Sequence, residues 1–201
     1  MATETKLRQL ADKGCPVYYF YSSERYLVRQ AVTAITRILT ADSDEDATVL
    51  DGAAPEIEQL IMAAGTISFF GTRRVVVLPE IDPAAYSDKD LEELNSTLSS
   101  LENAVVVLGS VFELERSKLK TGKRAQKLIA QCKALGYTEE LAKPKPFELK
   151  MMMIDRAKEQ KTTLPDGAAA ALLERCGEDP FLLENTGPIL KNGRASAPIL
   201  S

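Results

Sequence analysis

Two alternating patterns of hydrophobic and polar residues run through the first 140 positions of the chain. Short runs that are apolar throughout predict strands buried on both faces of a sheet. Between them lie longer segments whose apolar residues recur about every 3.6 positions, the period of an amphipathic helix. This alternation favours a parallel sheet covered on both sides, so we predict a three-layer α/β domain. The predicted strands are residues 17–21, 47–50, 74–78 and 104–108, with a fifth beginning at 136–138.

Capping residues and apolar stripes define the helices between these strands. Ser22 and Ser23 can cap the helix that follows the first strand, and Pro55 can open the next one. Leucines at every third or fourth position form one stripe along residues 88–101. The predicted helices are residues 6–13, 26–38, 55–64, 88–101 and 116–135, the last of them long and basic.

After Leu141 the pattern changes, because the remaining periodic segments are all helical. Residues 147–160 and 168–176 have helical spacing, and Pro165 stands where a first helical residue belongs. A third helix restarts at the Asp-Pro pair of residues 179–180. We therefore predict two domains, residues 1–142 and a small three-helix, lid-like domain at residues 143–185.

The last segment, residues 186–201, loses helical periodicity and gains Gly, Pro, Asn and Ser. Such a composition is typical of a disordered tail, or of sequence that is foreign to the protein. We therefore expect residues 186–201 to be a non-native or disordered tail rather than part of the helical domain.

Composition narrows the classes of function. The chain has no histidine, which removes the commonest general base and the commonest zinc ligand. Cys15, Cys132 and Cys176 have no metal-ligand spacing and are typical of reduced thiols in a cytosolic protein. No run of about 18 apolar residues is present, so we expect a cytoplasmic protein with no membrane partner. The net charge of −4 argues against a stand-alone DNA-binding protein.

A nucleotide-binding loop is the first chemistry to look for after the opening strand of such a domain. The Walker A motif needs glycines that turn backbone N–H groups inward and a lysine that reaches the phosphates. Residues 21–26 contain neither, and Glu24 stands where a phosphate would lie. The pair Gly122-Lys123 misses the outer motif positions, and Glu80 lacks the neighbouring acid of a magnesium site. We predict no cofactor, no metal and no catalytic site.

Basic side chains concentrate late in the first predicted domain. They predict either a contact with phosphates or an acidic partner, or simply the solvated face of a helix. We favour the solvated face. The run comprises Arg116, Lys118, Lys120, Lys123, Arg124, Lys127 and Lys133.

Two adjacent phenylalanines, Phe69 and Phe70, stand at the end of a predicted helix, just before Gly71. Neighbouring helix positions point about 100° apart, so both rings rarely face one core stripe. An exposed aromatic pair often marks a protein-binding hot spot, whereas a buried pair would plug the edge of the sheet. Spacing alone leaves both interpretations open.

These segments together resemble the delta subunit family of bacterial DNA polymerase III. The resemblance extends from residue 15 to about residue 185, and the Phe-Phe-Gly-x-Arg-Arg stretch is its most specific part. Ser22 departs from the glycine usual in the family, and Thr186 breaks the helix that normally continues. The residues that carry the resemblance are 17–28, the pair Asp51-Gly52, 67–77, 104–108 and 147–179.

The resemblance implies an AAA+ or RecA-like (P-loop NTPase-like) fold that has lost its phosphate loop. In this family the delta subunit binds the ring-shaped sliding clamp, the beta subunit, and opens it for loading onto primed DNA during replication. A hydrophobic wedge makes the contact, and the residues that match it are Ile67, Ser68, Phe69 and Phe70. The implied partners are the clamp and the other, ATP-binding clamp-loader subunits, with DNA only within the assembled complex. From the resemblance we expect this chain to lack the family's C-terminal collar domain.

Two alternatives stay open beside the resemblance. A degenerate P-loop enzyme would need a phosphate-binding loop, which residues 21–26 do not provide. A degenerate P-loop-like α/β interaction module with no role in replication predicts instead that Phe69 and Phe70 are both buried. Exposure of the two rings therefore discriminates between a generic module and a clamp-binding one.

Overall fold

A parallel sheet forms the centre of the first compact unit, Met1–Lys143. The computed structural model describes residues 4–41, 43, 45–65, 73–143, 145–159 and 162–176. Five strands make up the main sheet in these ranges, and two short strands pair only with each other. The strands are β1 (Val17–Ser22), β2 (Thr48–Val49), β3 (Arg74–Leu78), β4 (Ala104–Val111), β5 (Leu114–Glu115), β6 (Lys118–Leu119) and β7 (Tyr137–Glu140).

The order of the strands across the main sheet is β2-β3-β4-β1-β7, and every neighbouring pair is parallel. Parallel neighbours need a crossover, and helices supply most of these connections. The prediction of a parallel α/β domain is therefore confirmed. Five helices belong to this unit in the described ranges, namely α1 (Glu4–Ala11), α2 (Arg25–Leu39), α3 (Ile57–Gly65), α4 (Asp88–Ser99) and α5 (Lys123–Leu135).

Strand β1 shows how the sheet divides the core into two layers, because its successive side chains point to opposite faces. Tyr18 and Phe20 pack with buried residues of α1 and α2 on one face. Val17 and Tyr19 pack with α3, α5 and the leucine stripe of α4 on the other. All four of these β1 side chains are fully buried, which explains why the strand is apolar or aromatic at nearly every position.

The predicted helix at residues 116–135 is wrong over its first part. A hairpin of β5 and β6 comes first, and α5 begins only after it. Leu114 lies opposite Leu119 in this hairpin, and the turn residues Arg116 and Ser117 have φ angles of 49° and 65°. Positive φ at both turn residues suits the twist of a two-residue hairpin. Lysine and arginine are good helix formers, so their abundance favoured a helix in the prediction. The strand-like alternation of side chains in the hairpin is too short to outweigh that propensity.

The second compact unit begins at Pro144 and is helical where it is described. It contains α6 (Pro146–Glu159) and α7 (Asp166–Cys176). Met153, Ala157 and Ala169 form a small core with Leu164 from the connecting segment. The third helix predicted from residue 179 and the predicted tail at residues 186–201 lie outside the described residues.

Candidate functional site

The residues that match the family's wedge, 67–70, lie outside the described residues, but the elements on either side of them are described. Helix α3 ends at Gly65, and β3 begins at Arg74. Because β2 and β3 are parallel neighbours, α3 returns the chain from the carboxyl edge of the sheet to its amino edge. Residues 67–70 therefore belong to the connection between the end of α3 and the start of β3, both at the amino edge of the sheet.

Helix α3 has an apolar outer surface as well as an apolar inner one. Ile57 and Leu60 are buried against the sheet. Ile61 and Met62, by contrast, are 46% and 69% exposed. Large exposed apolar side chains next to each other often mark a contact surface for another protein. This surface lies in the last two turns of α3, a few residues before positions 67–70.

The chain that follows residues 67–70 is fixed to the sheet by polar contacts. The Arg73 guanidinium donates a hydrogen bond of 2.8 Å to the carbonyl oxygen of Gly14. The Arg74 Nε atom lies 3.2 Å from a Glu45 carboxylate oxygen, as a charge contact without hydrogen-bond geometry. The Arg74 backbone N–H donates to the carbonyl of Asn103 at 3.0 Å. Both arginines therefore hold the entry into β3 at a defined position.

A cleft of about 460 Å³ lies beside the end of α3. Its lining includes the apolar side chains of Ile61, Ala64 and Leu101 and small polar side chains at the end of α4. The remaining lining residues are Gly65, Glu93, Ser96, Thr97, Ser100, Glu102, Asn103 and Ala104.

The opposite, carboxyl edge of the sheet is where a nucleotide would bind in this class of fold, at the end of β1. Only Ser23 and Glu24 separate β1 from α2, too few residues for a phosphate loop. Ser22 is fully buried, and its hydroxyl donates to the Leu141 carbonyl at 2.6 Å. The same hydroxyl accepts a hydrogen bond from the Glu24 backbone N–H at 3.1 Å. The Ser22 hydroxyl and the Glu24 N–H are therefore both hydrogen-bonded within the protein.

Glu80, just after β3, is engaged by arginines. One carboxylate oxygen lies 2.6 Å from Nη2 of Arg25, and the other lies 3.4 Å from Nη2 of Arg29. Both arginines belong to the first turns of α2, whose N-terminus would face the phosphates. A carboxylate neutralised in this way is a poor magnesium ligand, because the two cations repel a third.

Buried polar side chains behind this edge serve the fold. The Tyr19 hydroxyl donates to Ser110 Oγ at 2.8 Å, and Ser110 Oγ donates to the Ile81 carbonyl at 2.8 Å. Burial raises the pKa of the Tyr19 phenol well above its usual range. Burial also raises the pKa of the Cys132 thiol to about 12. Neither group is a nucleophile at neutral pH, because the reactive form of each is the anion.

Metal-binding and membrane-spanning features are both missing from the described part of the chain. No group of three or more His, Cys, Asp or Glu side chains there is arranged to hold a metal ion. Within the same ranges, no helix is both long enough and apolar enough to span a bilayer.

The grouping of Glu80 with Arg25 and Arg29 was not predicted from the sequence. The signal that was available is the four-residue spacing of the arginines, which places them on one face of α2. Their partner, Glu80, follows β3 and lies about fifty residues further along the chain. Only the order of the strands in the sheet brings α2 and the end of β3 together.

A family model and the solved structures similar to this chain agree with each other. A family model described as "DNA polymerase III, delta subunit" matches residues 18–135. No curated protein matches the sequence. Among solved structures, the Bacillus subtilis DNA clamp loader delta protein is similar, with a TM-score of 0.62 and 22% sequence identity. The match covers 94% of this chain and 57% of the Bacillus subtilis chain, so this chain spans little more than half of that protein's length.

Two other solved structures have the same fold at lower identity. A point variant of Thermotoga maritima RuvB has a TM-score of 0.55 and 12% identity, covering 94% of this chain and 60% of its own. Domain III of the Thermotoga maritima replication initiation protein DnaA also has a TM-score of 0.55 and 12% identity. The match covers 91% of this chain and 79% of the DnaA chain. The fold is therefore AAA+/RecA-like, as the resemblance implied.

Proposed function

Because this chain belongs to the DNA polymerase III delta-subunit family, we propose that it binds the sliding clamp and opens its ring for loading onto primed DNA. The family match carries this proposal. It spans β1 through α5 and includes residues 67–70 and both elements that flank them. The proposed site is thus part of the region by which the family is recognised.

The proposed contact is made by Ile67, Ser68, Phe69 and Phe70. The exposed apolar side chains of α3, Ile61 and Met62, support it, because they precede these positions by only a few residues in the chain. The anchored arginines at the start of β3 support it as well, since a wedge must be held by a rigid scaffold to transmit force.

The free energy needed to open the ring indicates how strongly the contact must favour the open clamp. Burying one phenylalanine side chain contributes about 1.5–3 kcal/mol. Moving a two-state equilibrium from 1:99 to 99:1 requires about 5.5 kcal/mol of differential binding. Two rings supply energy on this scale only if they bind the open clamp interface far better than the closed one. We therefore propose that Phe69 and Phe70 fit the distorted interface and not the closed ring.

The subunit works without its own nucleotide in this proposal. The short β1–α2 connection and the arginine-bound Glu80 support this, because they occupy the edge where ATP would bind. ATP then binds to the other clamp-loader subunits, which we propose as further partners, and this chain has no catalytic site of its own. Contact with DNA takes place within the assembled complex.

Isothermal titration calorimetry of the 201-residue chain with its cognate sliding clamp tests the proposal. The test variant is Phe69→Ala/Phe70→Ala, and the control is Phe147→Ala, an exposed phenylalanine of α6. We expect the wild type and the control to bind alike. The double variant should lose at least about 100-fold in affinity, because roughly 3 kcal/mol of burial is removed.

Absence of clamp binding by a folded wild-type chain would contradict the proposal. The alternative, a P-loop-like interaction module without a role in replication, would then account for the fold. Equal binding by the wild type and the double variant would instead keep the clamp as partner and move the contact away from residues 67–70.

A further inference from the structure

Positive charge without a partner is unevenly distributed over the first unit. Most of its lysines and arginines form an ion pair or a hydrogen bond, as Lys6 does with Glu139. Among the described residues of this unit, the cations with neither are concentrated between residues 116 and 133. They are Arg116, Lys118, Lys123, Lys127 and Lys133 there, and Lys13 and Lys89 elsewhere.

The hairpin and the start of α5 bring four of these cations to one region. The hairpin follows β4 directly, and α5 follows the hairpin before the chain enters the parallel strand β7, so both begin at the carboxyl edge of the sheet. Arg116 stands in the hairpin turn and Lys118 next to it, and both are exposed. Lys123 and Lys127 lie four residues apart, on one exposed face of α5. Lys133 lies further along α5, about 9 Å from Lys127 at a rise of 1.5 Å per residue.

Nearby carboxylates neutralise only part of this charge. Glu115 lies opposite Lys118 in the hairpin, and Glu113 lies 3.9 Å from Lys120. Asp88 of α4 accepts a hydrogen bond from Arg124, and this bond, the Arg124 charge and the nearby Lys127 charge lower the pKa of the Asp88 carboxyl. Residues 113–127 contain six basic and two acidic side chains, a net charge of +4 in a chain of −4.

The cations in the first turn of α5 do not stabilise that helix. The first turn of α5 has Lys123 and Arg124 and no acidic residue. Cations at a helix N-terminus oppose the helix dipole, which favours negative charge there. The local positive potential is therefore left for a partner outside the chain.

We infer that the β5–β6 hairpin and the first two turns of α5 form a surface that contacts the phosphate backbone of a nucleic acid. This inference deepens the proposed function and rests on it. Lysine supplies three of the four free cations, and lysine is depleted in protein–protein interfaces but common at phosphates. A partner with closely spaced, repeated negative charges fits this surface better than an acidic protein does. The sequence alone favoured a solvated helix face for these residues, and this inference is the alternative to it.

Fluorescence anisotropy with a labelled primed-template DNA tests the inference on the full chain over a range of salt concentrations. The variant Lys118→Gln/Lys123→Gln/Lys127→Gln is compared with Lys13→Gln/Lys89→Gln/Lys133→Gln, which removes the same charge elsewhere. We expect weak wild-type binding, with Kd of roughly 10⁻⁵ M at low salt. The first variant should bind at least about tenfold more weakly, and its salt dependence should fall by roughly 0.9 per lysine removed. The control should stay within about threefold of the wild type.

Three results would overturn this inference, with folding of each variant verified by circular dichroism. They are absence of wild-type DNA binding at low salt, equal losses in the two variants, and a loss of clamp binding instead of DNA binding in the first variant. The last result would identify an acidic protein surface as the partner. Isothermal titration calorimetry of the same variants with the clamp distinguishes the two proposals. If residues 67–70 do not bind the clamp, the difference in DNA affinity between the two lysine variants can still be measured.

Discussion

At the carboxyl edge of the sheet, the Glu80 carboxylate lies between the guanidinium groups of Arg25 and Arg29. In a nucleotide-binding relative of this fold, an acidic residue at this strand end would face a magnesium ion and phosphates. Here the same position ties β3 to α2. A residue type that suits metal binding therefore has a structural role, decided by the side chains that face it.

Replacing Glu80 by glutamine tests this structural role. Glu80→Gln leaves two arginines close together without a carboxylate, so we expect the free energy of unfolding to fall. Because Arg25 and Arg29 are about two-thirds exposed, solvent weakens both ion pairs, and the loss should be about 0.5–1 kcal/mol. Urea unfolding measures it, with Glu92→Gln on the exposed face of α4 as the control. A more stable Glu80→Gln protein would mean that the carboxylate is a source of strain rather than an anchor.

Residue-level chemistry was predictable where it depends on local sequence. Residues 21–26, without glycine or lysine, argue against a Walker A loop, and the structure has only two residues between β1 and α2 there. The partners of Glu80 were not predictable, because they depend on which strands become neighbours. The same holds for the buried hydrogen bonds of Tyr19 and Ser110, which link strands far apart in sequence.

At the scale of elements, the strands and most helices follow from their hydrophobic period. Strand β3 was predicted with its observed bounds, and the leucine stripe of α4 is buried as expected. The exception is residues 116–122, where short alternation and high helix propensity compete. Propensity favoured a helix, but the chain forms a hairpin because Leu114 and Leu119 pair across it. Short elements of this kind fall below the length at which periodicity discriminates.

The hairpin turn provides a prediction at this scale. Ser117 has a φ of 65°, a conformation that costs a non-glycine residue about 1 kcal/mol. Ser117→Gly should therefore stabilise the hairpin, and the Lys120 amide, which donates to the Glu113 carbonyl, should exchange more slowly with solvent. Hydrogen-exchange NMR measures this rate. Ser96→Gly within α4 is the matched control and should lower global stability by about 0.5–1 kcal/mol. Faster exchange at Lys120 in Ser117→Gly would argue against this turn geometry.

At the scale of the whole molecule, the two edges of the sheet have different roles. At the carboxyl edge, Glu80 is paired with arginines and Ser22 is hydrogen-bonded to Leu141, and basic side chains lie beside these contacts. The amino edge lies beside the exposed apolar side chains of α3 and receives the chain that follows residues 67–70. This division suits the proposed function, in which the chain opens the clamp while other clamp-loader subunits bind ATP. The chain spans 57% of the Bacillus subtilis delta protein, so we propose the activity for the region it shares with that protein.

Ring opening of the clamp tests this account most directly. Donor and acceptor dyes are placed on either side of one interface of the cognate sliding clamp, and energy transfer is followed as this chain is added. We expect the wild-type chain to lower the energy-transfer efficiency between the two dyes in a saturable way. The Phe69→Ala/Phe70→Ala variant should leave this efficiency unchanged. If the folded wild-type chain binds the clamp while the transfer efficiency stays constant, the chain is a clamp ligand but not an opener, and the central claim is wrong.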